Sequence, residues 1–298
     1  MNNSEIIDKD YNKSFISSKI LRKLPISSRV SRKYNKYRQF KINKKLYPIF
    51  QIAQQKITQK NEIKDCNIIW VFWWQGKDKM TPLSKKCYKN ILKNKGNRIV
   101  ILLTKENIRQ YATLPEYIYT KIKSKKISLT HLSDILRFNL LNNYGGLWMD
   151  ATLYVTDSLD KFSKKELFTC SGYEDKYLFN ISYGRWTGFF IGGPSHLSLF
   201  QFMDNFFQEY WKYNDKLIDY FLIDYALNYA WNKNLSKFRT ISKKYNMINP
   251  RMFELQGILN NKFDIRKINK LTLDTVVFKL SNKKPINYNN KSNFYNHL

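Results

Sequence analysis

Residues 128–156 read SLTHLSDILRFNLLNNYGGLWMDATLYVT, and this stretch decides the fold. In its first half Leu132, Ile135, Leu136, Leu140 and Leu141 recur at three- and four-residue intervals, the spacing of one buried helix face. Thr130 is a suitable N-cap, and Gly145-Gly146 is a common way to end such a helix, because glycine accepts the left-handed backbone that closes the last turn. Leu147-Trp148-Met149 then runs apolar into Asp150, and residues 151–156 have strand composition. A helix carrying Asp134 and Arg137 one turn apart is thus followed, after a diglycine turn, by a strand ending in a carboxylate. Open α/β sheets bind ligands outside the carboxyl ends of their strands, so Asp150 stands where a ligand is expected.

The flanking sequence fits the same class. Residues 68–74, IIWVFWW, form a continuous apolar run, as in a strand covered on both faces, and Gln75-Gly76 ends it. Thr81-Pro82 starts a helix whose buried stripe is Leu83, Cys87, Tyr88, Ile91 and Leu92, and Gly96 closes it. Residues 98–103, RIVILL, are a second strand, Thr104 caps a short helix, and another helix lies near 115–124. Strand–helix–strand–helix marks an α/β domain with a parallel sheet. Downstream, residues 167–170 and 186–191 read as strands, with Gly192-Gly193-Pro194 breaking the second and Ser195 capping a helix that runs to about 211. Residues 217–231 read as one apolar helix interrupted by Asp219 and Asp224, carboxylates that are expensive there unless paired or functional. A helix near 251–259 and a strand-like run at 275–280 precede a polar end expected to fray. The expected organisation is a basic helical extension over 1–60, an α/β domain over 61–285 and a polar tail over 286–298.

With 298 residues, 43% hydrophobic and 16% aromatic, the chain can bury a large core and is far too apolar for general disorder. No apolar run approaches the roughly 20 residues that cross a bilayer, and the N-terminus has no apolar signal core. Cys66, Cys87 and Cys170 have no metal-site spacing and are expected to be reduced, as in a cytoplasmic protein. A net charge of +29 points to nucleic acid, an anionic membrane or a phosphate-bearing substrate, or else to scattered surface lysines in a chain also rich in Asn, Ile and Tyr. Residues 1–60 hold 15 Lys/Arg against 3 acids, interleaved with Ile20, Leu24, Tyr34, Tyr37, Phe40 and Ile42. Such a segment either lies on anionic lipid or packs on the core with its lysines exposed. Nucleic acid is not expected, because no recognition-module signature is present. There is also no P-loop, GxGxxG or nucleophile elbow.

The series NIIWVFWWQG (67–76), LTHLSDILRFNLLNNYGGLWMDAT (129–152), LIDYFLIDYAL (217–227) and VFKLSNK (277–283) resembles the bacterial capsular polysaccharide synthesis glycosyltransferases. These belong with the DXD-containing sugar transferases that include yeast mannosyltransferases, and the chain is similar to the glucosylating clostridial toxins. The resemblance covers about residues 67–284 and implies a GT-A fold, a nucleotide-binding α/β domain with an acceptor-binding second half. It further implies retaining transfer of a hexosyl group from a nucleotide-sugar, usually a UDP-sugar. The acceptor would be a capsule glycan on a lipid-diphosphate carrier, which would bring the protein to the inner face of the cell membrane.

Residue by residue, the resemblance makes Trp73 the aromatic that stacks on the base, although a core aromatic is the alternative; Gln75, Gly76 and Gly146 are counted with the donor-lining positions. Asp134 and Arg137 match the pair that holds the sugar hydroxyls and supports the diphosphate, while their i, i+3 spacing equally suits a plain ion pair. Asp150 matches the first acid of DXD. The second is Thr152, so a Mn²⁺ or Mg²⁺ held by Asp150 and Thr152 would be weakly held or lost, since such ions prefer several oxygen ligands. Without metal, Arg137, Lys279 and Lys283 are the candidates to neutralise the leaving UDP. Of Asp219 and Asp224, Asp224 is the choice for the group near the anomeric carbon or the acceptor hydroxyl. His131 lines the same cleft or is a structural histidine, and Gly188 lets the backbone approach a ligand. Two rivals stay open: a toxin-like transferase acting on protein, and a non-catalytic membrane- or nucleic-acid-binding protein.

Overall fold

In the computed structural model, which describes residues 10–24, 28–58, 67–162, 166–244 and 249–298, strand β1 (Ile68–Phe72) is covered on both faces. Cys66 and the boundary drawn after residue 60 lie outside the described residues. Strand β2 (Ile99–Leu103) and strand β3 (Gly146–Met149) pair in parallel with β1 on either side. Strand β6 (Phe190–Gly193) runs antiparallel to β3, and the short β5 (Phe168–Thr169) antiparallel to β6. The order is β2-β1-β3-β6-β5, with β6 alone reversed.

Alternation along β1 divides the core into layers, since successive side chains point to opposite faces. Trp70 joins the apolar cluster built by α2 (Ser28–Gln55), α6 (Leu129–Tyr144), α7 (Ser198–Tyr213) and α8 (Leu222–Asn232). Ile69 and Val71 join the opposite cluster with Leu147, Met149 and Tyr88 and Ile91 of α3 (Pro82–Asn94). Beyond that layer, β4 (Leu153–Val155) and β7 (Val277–Lys279) form a separate antiparallel pair. Two short helices, α4 (Ile108–Tyr111) and α5 (Glu116–Lys123), connect β2 to α6. The N-terminal α1 (Asp10–Lys23) packs on α2. The result is a mixed α/β, GT-A-like fold, and its helix–sheet layers set the carboxyl ends of β1 and β3 side by side.

Several boundaries differ from the sequence expectation, each for a local reason. The N-cap of α6 is Ser128, whose Oγ accepts from the His131 N–H at 3.3 Å; Thr130 already lies inside the first turn. Gly192 and Gly193 continue β6 instead of breaking it, because a Cβ at Gly192 would meet the Gly146 carbonyl oxygen at 2.4 Å, and only glycine lets the strands approach so closely. The strand after Asp150 does not extend β3 but turns away to pair with β7. Ser195 does not cap α7, which begins at Ser198 and receives its cap from a distant residue: the Ser236 hydroxyl accepts from the Leu199 N–H at 2.9 Å. Residues 217–221 are not helical, since the Asp219 carboxylate accepts from the Phe221 N–H at 2.9 Å and forms a turn ahead of α8. The polar end packs rather than frays: Phe294 and Tyr295 are buried, and the Phe294 N–H donates to Asn261.

Candidate active site

Asp150 follows directly on β3. Its N–H donates to the Phe189 carbonyl at 3.0 Å and its own carbonyl accepts from Leu153 at 3.0 Å, so the chain turns sharply beneath the carboxylate. Oδ1 accepts from Trp148 Nε1 at 3.0 Å and from Arg137 Nη2 at 3.3 Å, while Oδ2 accepts from Lys279 Nζ at 2.6 Å. The carboxylate remains a quarter exposed, 25% at the side chain. Burial pushes its pKa up, but Lys279 and Arg137 outweigh that and hold it below the usual carboxylate range.

Lys279 reaches Asp150 because of strand register. Leu153 of β4 faces Lys279 of β7, and the Leu280 N–H donates to the Thr152 carbonyl at 3.0 Å. The ammonium therefore also lies 2.9 Å from Thr152 Oγ1, between the two polar members of the D-A-T motif. Arg137 comes from the opposite layer. One turn after Asp134 on α6, it donates through Nη1 to Asp134 Oδ1 at 3.0 Å, and its guanidinium lies 5.1 Å from the Trp148 ring centroid. Gly188 serves this guanidinium: a Cβ there would stand 3.0 Å from Arg137 Nη1 and 3.0 Å from Ile223 Cδ1. The close approach anticipated at Gly188 is made by a protein side chain.

Two further carboxyls share the cleft. Burial, together with Asp150 and Asp224 and against Arg137, raises Asp134 to about 7. Asp224, in the first turn of α8, accepts from Trp186 Nε1 at 2.9 Å, and burial still lifts it to about 6. The Tyr220 phenol is raised by burial and by Asp134, Asp150 and Asp224. Its ring stands edge-on to His131 at 6.4 Å. His131 Nδ1 lies 2.8 Å from Ser128 Oγ, while Nε2 is buried with no hydrogen-bond partner among the described residues; burial lowers the imidazole to about 4, so it is neutral near pH 7.

Beside these groups, Trp73, Gln75, Ser133, Asp150 and Thr152 line a cavity of about 350 Å³. Trp73 is fixed by its Nε1, which donates to the Lys79 carbonyl at 3.2 Å, and by a turn closed at Gly76, φ +82°. Trp74 and Leu129 separate this cavity from a larger one of about 870 Å³ rimmed by Lys105, Arg109, Lys123 and Lys125.

The sequence model described as capsular polysaccharide synthesis protein matches residues 19–298, nearly the whole chain. The chain belongs to the capsular polysaccharide synthesis protein family. No curated protein and no solved structure gives a significant match, and no relation to yeast mannosyltransferases or clostridial toxins is shown.

The resemblance to sugar transferases of the DXD type implies a divalent cation beside Asp150, and the side chains around Asp150 do not fit one. Among the described residues no three Asp, Glu, His or Cys side chains gather to hold a metal. Both Asp150 oxygens are engaged by cations or an N–H, and the second acid is a hydroxyl already donated to by Lys279. Thr152 and Lys279 are thus brought together as a cation site already filled by an ammonium.

Of the sequence candidates, the fold gathers Trp73, Gln75, Asp134, Arg137, Asp150, Thr152, Gly188, Asp224 and Lys279, with His131 at the rim. Asp219 is not part of the gathering. It forms a fully buried ion pair with Arg38 of α2, side chains 0% and 1% exposed, and burial still raises its pKa despite that partner. Gly146 sits inside β3, where a Cβ would strike the Ile68 carbonyl at 2.5 Å, so its lack of a side chain serves strand packing. Lys283 lies exposed in the turn after β7, where its neighbour Asn282 is bonded to Ser84 of α3. Trp148 and Tyr220 are site residues the sequence reading did not single out, whereas Trp186 opens the run 186–193 that the reading set beside the ligand together with Gly188. A polar-tipped aromatic two residues before Asp150 is a usable signal for Trp148; nothing local marks Tyr220.

Proposed function

We propose that this capsular polysaccharide synthesis protein is a glycosyltransferase that moves a hexosyl group from a nucleotide-sugar, of the UDP class, to a capsule glycan borne on a lipid diphosphate. The observation that carries the reading is the array of Lys279 and Arg137 on the two oxygens of Asp150, beside a cavity walled by Trp73. An aromatic face supports a nucleobase, worth about 1–3 kcal/mol per stacked base. Two cations on the other side of Asp150 suit a diphosphate, whose charge grows as it leaves.

The raised carboxyls fit the same chemistry. With Asp150 ionised, and Asp134 and Asp224 at about 7 and about 6, the cleft is not so anionic as to repel a diphosphate at neutral pH. Asp134, near half-protonated at pH 7, can both donate to and accept from sugar hydroxyls. Asp224 is ionised enough to serve as base. The acceptor hydroxyl oxygen forms the new bond to the anomeric carbon and gives its proton to Asp224. The anomeric C–O bond to the diphosphate breaks, and its electron pair leaves on the nucleoside diphosphate, where Lys279 and Arg137 meet the charge. No step runs through a metal.

The test is turnover of a panel of UDP-hexoses, with and without a lipid-linked glycan acceptor, by wild type and Asp150→Asn. Release of UDP from one sugar, lost in Asp150→Asn, supports the proposal. Silence across the panel with acceptor present counts against it.

A further inference from the structure

The outward face of the two N-terminal helices carries a pattern that the transfer reading does not use. Along α1 and just past it, Ile16, Ile20 and Leu24 follow at four-residue intervals and are 45–56% exposed. On α2, Val30, Tyr37, Phe40 and Tyr47 are 47–66% exposed. These apolar side chains stand among exposed lysines: Lys19 and Lys23 on α1, Lys33, Lys36 and Lys44 on α2. Helix α2 holds eight Lys/Arg and no carboxylate, so nothing within it offsets their charge, and Arg38 is turned inward to Asp219.

The inner face of the pair is fully explained by the fold. Asn35 and Gln39 donate to the carbonyls of Tyr177 and Leu178, both at 3.0 Å, and Phe15 stacks on Tyr220 at 5.6 Å. Those contacts tie the inner faces to the rest of the chain and leave the outer face exposed. Aliphatic and aromatic side chains at the tips, ringed by snorkelling lysines, match the boundary between headgroups and acyl chains. Ile16, Ile20, Leu24 and Val30 offer nothing that a phosphate–sugar backbone would bind, which argues for lipid over nucleic acid. No described helix is long and apolar enough to cross a membrane, so contact of this kind is with the surface.

We infer that the outward face of α1 and α2 is a docking surface for an anionic lipid bilayer. Phe15 of α1 stacks on Tyr220, whose ring meets His131 one turn before Asp134 on α6, so docking sets this side of the cleft beside whatever the membrane carries. The inference stands apart from the transfer reading and is tested without it.

The test is cosedimentation of the full chain with vesicles of phosphatidylcholine alone or with a quarter phosphatidylglycerol, at low and high salt. Binding is expected only to the anionic vesicles, falling as salt screens the lysines. Each cation near such a surface is worth about fivefold in binding, so Lys33→Glu/Lys36→Glu/Lys44→Glu is expected to weaken it by at least roughly a hundredfold. Phe40→Asp with Ile20→Asp is expected to abolish it. The same charge change at Lys262, Lys267 and Lys270 is expected to leave most of it. These surface variants should keep the wild-type melting temperature and nucleotide-sugar hydrolysis, which separates lost docking from misfolding and from failure of the transfer reading. Equal binding to neutral vesicles, equal loss in the control triple, or binding unchanged by Phe40→Asp with Ile20→Asp would each overturn the inference. So would preferential capture of RNA, or a dimer that the same aspartates dissociate.

Discussion

Replacing Lys279 with alanine removes one ammonium and probes the site at its centre. Its Nζ lies 2.6 Å from Asp150 Oδ2, and the two side chains are only 23% and 25% exposed, so the pair is largely withdrawn from water. In the ground state Asp150 keeps Trp148 and Arg137 but loses one charged partner, a loss of about 1–3 kcal/mol. The sign with pH is fixed: the depressed carboxyl contributes stability above its unfolded pKa, lost as pH falls through the folded value. Lys279→Ala removes most of that contribution, so its stability deficit is present at pH 7 and shrinks on acidification. In the transition state the loss is larger, because the cation meets charge that develops only then; removal of such a group lowers kcat by about 10²–10³. Initial rates of UDP release, in EDTA, measure the effect. Lys279→Arg is expected to keep part of the rate, Mn²⁺ is expected not to rescue Lys279→Ala, and Lys279→Ala/Thr152→Asp is expected to regain activity only with Mn²⁺. A Lys279→Ala enzyme within threefold of wild type, or one restored by Mn²⁺ with Thr152 intact, would refute the reasoning.

Three other outcomes follow from the geometry. Asp219→Ala leaves Arg38 buried and unpaired and is expected to cost about 3–5 kcal/mol by denaturant unfolding, while Arg38→Met/Asp219→Leu recovers most of it and retains donor turnover; an inactive but stable double variant would return Asp219 to the active site. Gly188→Ala pushes on Arg137 Nη1 and Ile223, so kcat/KM is expected to fall by up to about 10²-fold with only a small change in melting temperature; unchanged kinetics would mean that the guanidinium has room to move. Turnover is expected to rise with pH through about 6 as Asp224 ionises, a limb absent from the residual activity of Asp224→Asn. Stability should run the other way, because Asp134 and Asp224 have folded pKa values above their unfolded ones: it is greatest below pH 4 for these groups and declines as pH rises through 6 and 7. Wild type should therefore lose melting temperature relative to Asp134→Asn/Asp224→Asn between pH 5 and 8.

The architecture was legible wherever a local pattern coincides with a global one. The apolar run of β1, the Thr81-Pro82 helix start and the sequence from α6 through the diglycine to Asp150 each combine periodicity with a turn signal, and each formed as an element, with β1 ending at Phe72, α6 capped by Ser128 and Gly146 opening β3. Where long-range contact overrides local pattern, the reading slipped. Residues 217–231 have helical composition throughout, but a buried arginine on α2 draws Asp219 out of line with Asp224, and a pairing across 181 residues leaves no mark in sequence. Gly192-Gly193 looks like a break because strand crowding by Gly146 is visible only in three dimensions. The polar end packs because Tyr295 joins the cluster of Leu83, Leu255 and Leu280 and Phe294 meets Phe263, contacts that its average composition hides. In the site, Asp134, Arg137 and Asp150 were found through spacing and resemblance. The position of Lys279 between Asp150 and Thr152 depends on the register of β4 on β7, which no count along the chain supplies.

The most direct measurement is UDP release from a panel of UDP-hexoses by the wild-type chain, with lipid-linked glycan acceptor, in excess EDTA and in Mn²⁺, with Asp150→Asn alongside. The account predicts that one sugar turns over at closely similar rates in both conditions and that Asp150→Asn turns over none. Turnover that appears only with Mn²⁺ would contradict the placement of Lys279 as the site's cation, and an Asp150→Asn protein as active as wild type would contradict the active site itself.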